Sequence, residues 1–274
     1  MKIDLSDFKA QLLHEEKSPV TVEKYLRDVS AFFAFTCDRE LGKDLVLEWK
    51  HMLMQKGYAI RSINSMLASL NAYFKYIRRE DCRVQSLRLQ KQIFTPIERE
   101  LSRTEYERLL DAAQKKPRLH LLLQTICATG IRVSELRYFT VEAVQKGEVV
   151  VNCKNKNRVI LIPGKLRKAL TKYCRQNKIT SGIIFRTRNG NPLDRSNIWT
   201  EMKRLCKVAR VEAEKVFPHN LRRLFARCFY KLERDIAKLA DVLGHSSINT
   251  TRIYIMTTGL EHRKLLDRLG FLRE

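Results

Sequence analysis

Apolar residues recur at helical spacing along almost all of this 274-residue chain, and strand-like alternation takes over only across residues 148–162. A short apolar run at 182–185 is the one other break from helix. That pattern bounds the fold class. A large sheet has no sequence to build it, so the core must come from packed helices beside one small hairpin. The expected class is therefore mainly α with a small β-hairpin.

Residues 1–85 read as a four-helix domain. A first helix is expected over 5–14, and a second opens at the cap candidate Thr21, with Val22, Tyr25, Leu26, Val29, Phe32 and Phe33 on one side before Gly42. A third covers about 44–55 and stops at Gly57. The fourth, 60–79, aligns Ile60, Ile63, Met66, Leu67, Leu70, Phe74 and Ile77. The polar faces carry Lys24, Arg27, Arg61, Lys75, Arg78 and Arg79. Solvation of an amphipathic helix accounts for such residues, and Lys24, Arg61 and Arg78 are also the candidates here for phosphate contact.

Residues 86–98 lose the helical period, include Pro96 and read as a linker. Residues 99–274 then form a second, α+β domain, opening on the capping-box pattern Ser102-Arg-Thr-Glu105. An apolar helix over 119–128 runs into Thr129-Gly130, and a helix restarts around Arg132. The β-branched runs 148–153 and 158–162, separated by Lys154-Asn-Lys-Asn157, read as a hairpin. Beyond Gly164 the pattern is mostly helical again.

The chain holds 53 Lys and Arg against 30 Asp and Glu, a formal charge of +23 that calls for a polyanionic partner. The excess is uneven: residues 1–93 hold 16 basic and 12 acidic side chains, and residues 94–274 hold 37 and 18. The second domain is thus the part expected to grip phosphates. The seven cysteines are scattered without a Cys-x-x-Cys pair or a His at zinc-ligand spacing, and read as reduced thiols of a reducing compartment. No stretch approaches a membrane span, and the opening MKIDLSDFKA lacks the apolar core of a signal peptide. Charge identifies the partner and leaves the chemistry open.

Reversible cutting of a phosphodiester needs a nucleophile, cations around the non-bridging oxygens and an acid for the leaving oxygen. Ala128-Thr-Gly-Ile-Arg-Val-Ser-Glu-Leu136 offers Arg132 after a tight turn at Gly130, with Glu135 one helical turn on to orient its guanidinium. Alone, Arg-x-x-Glu is a common surface ion pair. Pro218-His-Asn-Leu-Arg-Arg-Leu-Phe-Ala226 puts His219 and Arg222 on one helical face, and Leu243-Gly-His-Ser-Ser-Ile-Asn-Thr-Thr-Arg-Ile-Tyr254 spaces His245 and Tyr254 nine residues apart.

In their joint order these segments resemble the signatures of the tyrosine recombinase (phage integrase) family, in its compact two-domain form. The segment 21–35, with its Thr-x-x-x-Tyr opening, resembles the helical core-binding domain of that family, so the likeness covers nearly the whole chain. The resemblance implies that Tyr254 is the nucleophile, that Arg132, Arg222 and His245 stabilise the transition state, that His219 assists proton movement and that Glu135 supports Arg132. A lysine on the hairpin turn would protonate the leaving 5′ oxygen; the match falls on Lys154, with Lys156 as the alternative. Two departures stand out. The common Gly-Lys-Gly-x-Lys turn is replaced by Cys153-Lys-Asn-Lys156, one residue shorter, and Arg223 stands where many relatives carry His, as a possible further phosphate contact beside Lys156.

The implied activity is site-specific cutting and rejoining of duplex DNA through a 3′-phosphotyrosyl link, with no metal, nucleotide or other cofactor. The implied partners are double-stranded DNA with paired core sites and further copies of the chain, four of them in the synaptic complex, in a cytoplasmic, nucleoid-associated setting. A type IB topoisomerase, a telomere resolvase and a non-catalytic regulator derived from an integrase are the alternatives. After Tyr254, Leu260, Leu265, Leu266, Leu269, Phe271 and Leu272 form an apolar set on a terminal helix, expected to pack either on its own domain or on a neighbour's.

Overall fold

The computed structural model describes residues 4–37, 39–88, 100–153, 156–256, 263 and 266–269, with the side chains of Cys153 and Lys156 excepted. The chain divides into two compact units, residues 1–91 and 92–274.

In the first unit, α1 (Ser6–His14), α2 (Pro19–Thr36), α3 (Lys43–Gln55) and α4 (Ile60–Tyr76) follow the apolar periodicity. Their stripes meet in a core of Phe8, Leu12, Val29, Phe32, Trp49, Leu67 and Phe74. Phe32 sits edge-on to both Trp49 and Phe74, at 5.3 and 5.9 Å between ring centroids. Helix α2 begins before the expected Thr21. Its cap is Ser18, whose hydroxyl accepts the Thr21 N–H at 3.3 Å, and Pro19 supplies the preset φ of a first helical residue. Helix α4 stops three residues short of the expected Arg79. Arg78 adopts a left-handed φ of 58°, and Arg79 turns back to the Leu41 carbonyl and the Asp81 carboxylate, leading into a single 3-10 turn, Glu80–Cys82.

The second unit opens on α5 (Arg103–Ala112), whose capping box is complete: the Ser102 hydroxyl accepts the Glu105 N–H at 3.1 Å and the Glu105 carboxylate accepts the Ser102 N–H at 2.8 Å. Helix α6 (Pro117–Thr129) ends at Gly130, φ 62°. A Cβ at Gly130 would lie 2.3 Å from the Phe225 ring, so glycine is what lets α6 end against α11 (Pro218–Glu233). The restart expected at Arg132 is a 3-10 helix, Val133–Tyr138, followed by α7 (Val141–Lys146).

Strands β1 (Glu148–Cys153) and β2 (Lys156–Leu161) pair antiparallel from Glu148↔Leu161 to Cys153↔Lys156. The second strand starts two residues earlier than its β-branched run suggested, because backbone pairing continues through Asn152↔Asn157 and Cys153↔Lys156 regardless of side-chain propensity. Val149, Val151 and Ile160 face the core while Val150, Val159 and Leu161 face outward. The run at 182–185 is stitched beside the 3-10 helix: Ile184 N–H donates to Phe139 O at 3.0 Å, and Ile183 bridges Thr140. Helices α8 (Gly164–Gln176), α9 (Arg195–Lys203), α10 (Cys206–Ala209), α11, α12 (Ile236–Leu243) and α13 (Ile248–Ile255) complete the unit. Of the tail residues, Leu266 and Leu269 are exposed, and Leu260, Leu265, Phe271 and Leu272 lie outside the described residues. No helix among the described residues is long and apolar enough to cross a membrane.

Candidate active site

Two left-handed glycine turns and the start of α11 bring the basic side chains of the second unit together. The left-handed Gly130 swings the chain out of α6 so that Arg132 caps the 3-10 helix in extended conformation, ψ 148°. With three residues per 3-10 turn, Glu135 falls directly below it. The Glu135 carboxylate, 1% exposed, accepts the Arg132 backbone N–H at 2.8 Å and the Arg132 guanidinium at 3.0 Å. Arg132 also donates to Gly244 O at 3.2 Å, and its side chain stays open to solvent.

Arg222 enters from the first turns of α11 and is 1% exposed. Its two terminal nitrogens donate to Gly130 O at 2.5 Å, Leu243 O at 2.6 Å and His245 Nε2 at 3.0 Å. Its Nε is buried without a hydrogen-bond partner among the described residues. Burial, and then the charge of Arg132, pull the guanidinium down to about 10, still a cation at neutral pH.

His245 follows Gly244, the left-handed end of α12. A guanidinium only donates, so His245 Nε2 must accept, which makes the ring neutral with its proton on Nδ1, 2.9 Å from the fully buried Thr251 hydroxyl. The basicity of the ring agrees: burial, then Arg222, Arg132 and Arg158, lower it to about 4. His219 is lowered to about 4 as well, by burial of its ring and then by Arg223 and Arg222. The residue as a whole is exposed, and its cationic neighbours act in the same direction as the burial of its ring.

Tyr254, on α13, is 8% exposed and sits among these groups. Its ring lies 5.1 Å from that of His219 and 5.0 Å from that of His245, and the Arg222 guanidinium is 5.9 Å from its centroid. His219, His245 and Arg222 thus gather around the Tyr254 phenol, and Arg132, paired with Glu135, joins them through Gly244 O beside His245. The half-buried Arg223 stands close enough to His219 to depress its basicity.

Lys154 lies outside the described residues, and of Lys156 only the backbone pairing with Cys153 is described. In the other unit, Lys24 is engaged by Asp28, by Ser65 O and by the Ser69 hydroxyl at 3.0 Å, while Arg61 and Arg78 are exposed. Sequence reasoning missed two participants. Arg158 donates to the second Glu135 oxygen at 2.5 Å and to Val242 O at 3.1 Å, but in sequence it was one more cation beside a charged turn. Thr251 lies three residues before Tyr254 on α13, a spacing that could have flagged it as a partner near the phenol. The assembly presents guanidinium donors, two neutral imidazoles and a phenol, the groups that in-line displacement at a phosphate requires.

Residues 99–259 match the Phage integrase family, and residues 5–81 match its N-terminal SAM-like domain. The chain is 30% identical over 278 residues to "Tyrosine recombinase XerA" of Pyrococcus furiosus, covering 98% of this chain and 94% of that protein. It is 28% identical to "Tyrosine recombinase XerD" of Vibrio cholerae over 255 residues, covering 85% and 84%. Among solved structures, a lambda integrase(75-356) dimer bound to a COC′ core site shares the fold with a TM-score of 0.74 at 18% identity, covering 93% and 95%.

Proposed function

The chain belongs to the phage integrase family, and from that premise we propose that it is a site-specific tyrosine recombinase that cuts and rejoins duplex DNA through Tyr254. The observation that carries this reading is the placement of the Tyr254 ring between His219, His245 and Arg222, all within 6 Å.

Tyr254 Oη attacks the scissile phosphate in line. The P–O bond to the 5′ oxygen breaks, leaving a 3′-phosphotyrosyl link and a free 5′ hydroxyl. The attacking hydroxyl must lose its proton, and neutral His219 beside the ring can accept it. Arg132 and Arg222 carry the charge that develops on the non-bridging oxygens, a preorganised role because Glu135, Gly130 O and Leu243 O already fix the guanidinium planes, and His245 supports it by accepting from Arg222. Lys154 gives a proton to the departing 5′ oxygen. A partner strand's 5′ hydroxyl then attacks the phosphotyrosine and reverses the step. Phosphoester is exchanged for phosphoester, so the reaction itself calls for no nucleotide or metal.

Exchanging two strands on each of two duplexes assigns one Tyr254 to each cut, which gives four copies of the chain on paired core sites. The basic second unit supplies phosphate contacts, and affinity for DNA falls steeply with salt. The reaction takes place on cytoplasmic, nucleoid DNA.

The test is a denaturation-resistant protein–DNA adduct on nicked duplexes with randomised arms. Wild type should form it, and Tyr254→Phe should bind the selected duplex equally well and form none. An adduct with Tyr254→Phe would overturn the assignment. Efficient relaxation of supercoiled plasmid lacking the selected site would mark a topoisomerase instead.

A further inference from the structure

We propose that Arg158 is a positioning residue that couples the β1–β2 hairpin to the phosphate-binding turn at 242–245, so that hairpin and turn assemble as one unit. The inference rests on the reading that Arg132 and Arg222, the latter held by His245, engage the scissile phosphate.

A two-stranded hairpin is marginally stable by itself, so its position must be set by what its strands touch. Here Val149, Val151 and Ile160 anchor one face in the core. Arg158 lies opposite Val151, two rungs before the Cys153↔Lys156 pair that closes the ladder. Its fork joins acceptors on two other elements: Glu135 Oε2 in the 3-10 helix at 2.5 Å and Val242 O near the end of α12 at 3.1 Å. The stem passes so close to Gly244 that a Cβ there would lie 2.5 Å from Arg158 Cδ and 3.0 Å from Nε. Glycine at 244 therefore does two things: it takes the left-handed φ of 63° that ends α12, and it leaves room for the arginine.

The elements Arg158 touches are those that hold the phosphate ligands. Glu135 is shared with Arg132, and Arg132 in turn donates to Gly244 O beside His245. One buried carboxylate thus orients two guanidinium groups, one that faces solvent and one that is mostly enclosed. A planar fork fixes two acceptors at a set spacing, which a lysine ammonium on a flexible stem does not. Beside its apolar anchors, the described part of the hairpin is tied to the segments of Arg132 and His245 through this side chain.

The test uses the full chain with Arg158→Met, which removes the fork, and Arg158→Lys, which keeps the charge. In the free protein, hydrogen exchange is followed at the hairpin amides and at the His245 N–H, which donates to Ala240 O at 2.9 Å. Coupling predicts that exchange rises at both places in Arg158→Met and to an intermediate extent in Arg158→Lys. On nicked duplex, cleavage by Arg158→Met should fall by up to about 10²-fold, the scale of a displacement near 1 Å. DNA affinity should hold. Part of that loss should be recovered with sulfur replacing the bridging 5′ oxygen, because a displaced hairpin proton donor then matters less.

Faster exchange in the hairpin alone, with His245 as in wild type, would make Arg158 a local strut and overturn the proposal. Equal slowing on oxygen- and sulfur-bridged substrates would do the same. If Arg158→Met does not fold, Arg158→Lys supports the same comparisons. If wild type forms no adduct, the recombinase reading fails while the exchange data still decide the coupling.

Discussion

Arg222 donates to His245 Nε2 across 3.0 Å, and that single contact fixes both the tautomer and the charge of the imidazole. A ring that accepts there cannot also hold a proton there. Its donor, Nδ1–H, is directed at Thr251 and away from the guanidinium cluster.

The two histidines should therefore titrate far below an ordinary imidazole. In 13C-histidine NMR of the free protein, His219 and His245 are expected to change charge near pH 4 and to show no step near 6.5. The lowered native pKa means that the unfolded chain binds more protons between 6.5 and 4. Stability from these residues is present above pH 6.5 and declines as pH falls through that window. Thermal melts should shift down accordingly between pH 6.5 and 4, and a step at 6.5 for both rings would contradict the geometry.

Arg132→Ala and Arg222→Ala should both slow cleavage, by about 10²–10³-fold each, but Arg222→Ala should weaken the fold more. Arg132 is open to solvent, whereas Arg222 satisfies two carbonyls from the middle of the unit. Orphaning those acceptors costs about 1–3 kcal/mol apiece. Denaturant midpoints should separate the two variants, and near-normal cleavage by either would remove it from the transition-state set.

Gly130→Ala tests the close approach of α6 to α11. The left-handed φ costs a side chain about 1–2 kcal/mol, and the added methyl would meet the Phe225 ring at 2.3 Å. Phe225→Leu in the same chain should return part of the lost stability. Equal melting of Gly130→Ala and wild type would show that the turn relaxes freely.

The proton donor to the 5′ oxygen can be located chemically. Lys154→Ala should slow cleavage of ordinary DNA and recover most of its rate when sulfur bridges the scissile position, since a thiolate of pKa about 8.5 leaves without help. Arg132→Ala should not recover. Rescue with Lys156→Ala in place of Lys154→Ala would move the role by two residues, and rescue of neither would direct attention to His219.

What the sequence determined by itself was local. The helical period delineated α3 and α6 to within a residue or two and put His219 and Arg222 on one helical face, and Gly130 marked the turn before Arg132, because periodicity and glycine conformation act over a few residues. The reading slipped where a neighbouring group competes with propensity, as with Ser18 capping α2 ahead of Thr21 and backbone pairing carrying β2 back to Lys156. The tertiary structure alone decided which carbonyl lies within hydrogen-bond reach of which cation. Arg132 meets Gly244 across 112 residues and Arg158 meets Val242 across 84. Contacts at such separations follow from how α6, α11, α12 and the hairpin pack together. Packing gave Arg158 its contacts to Glu135 and Val242 O, made His245 a neutral acceptor, and spent Lys24 on Asp28 and Ser69. A cation's role depends on the partners brought to it, and residue type and spacing do not encode those partners.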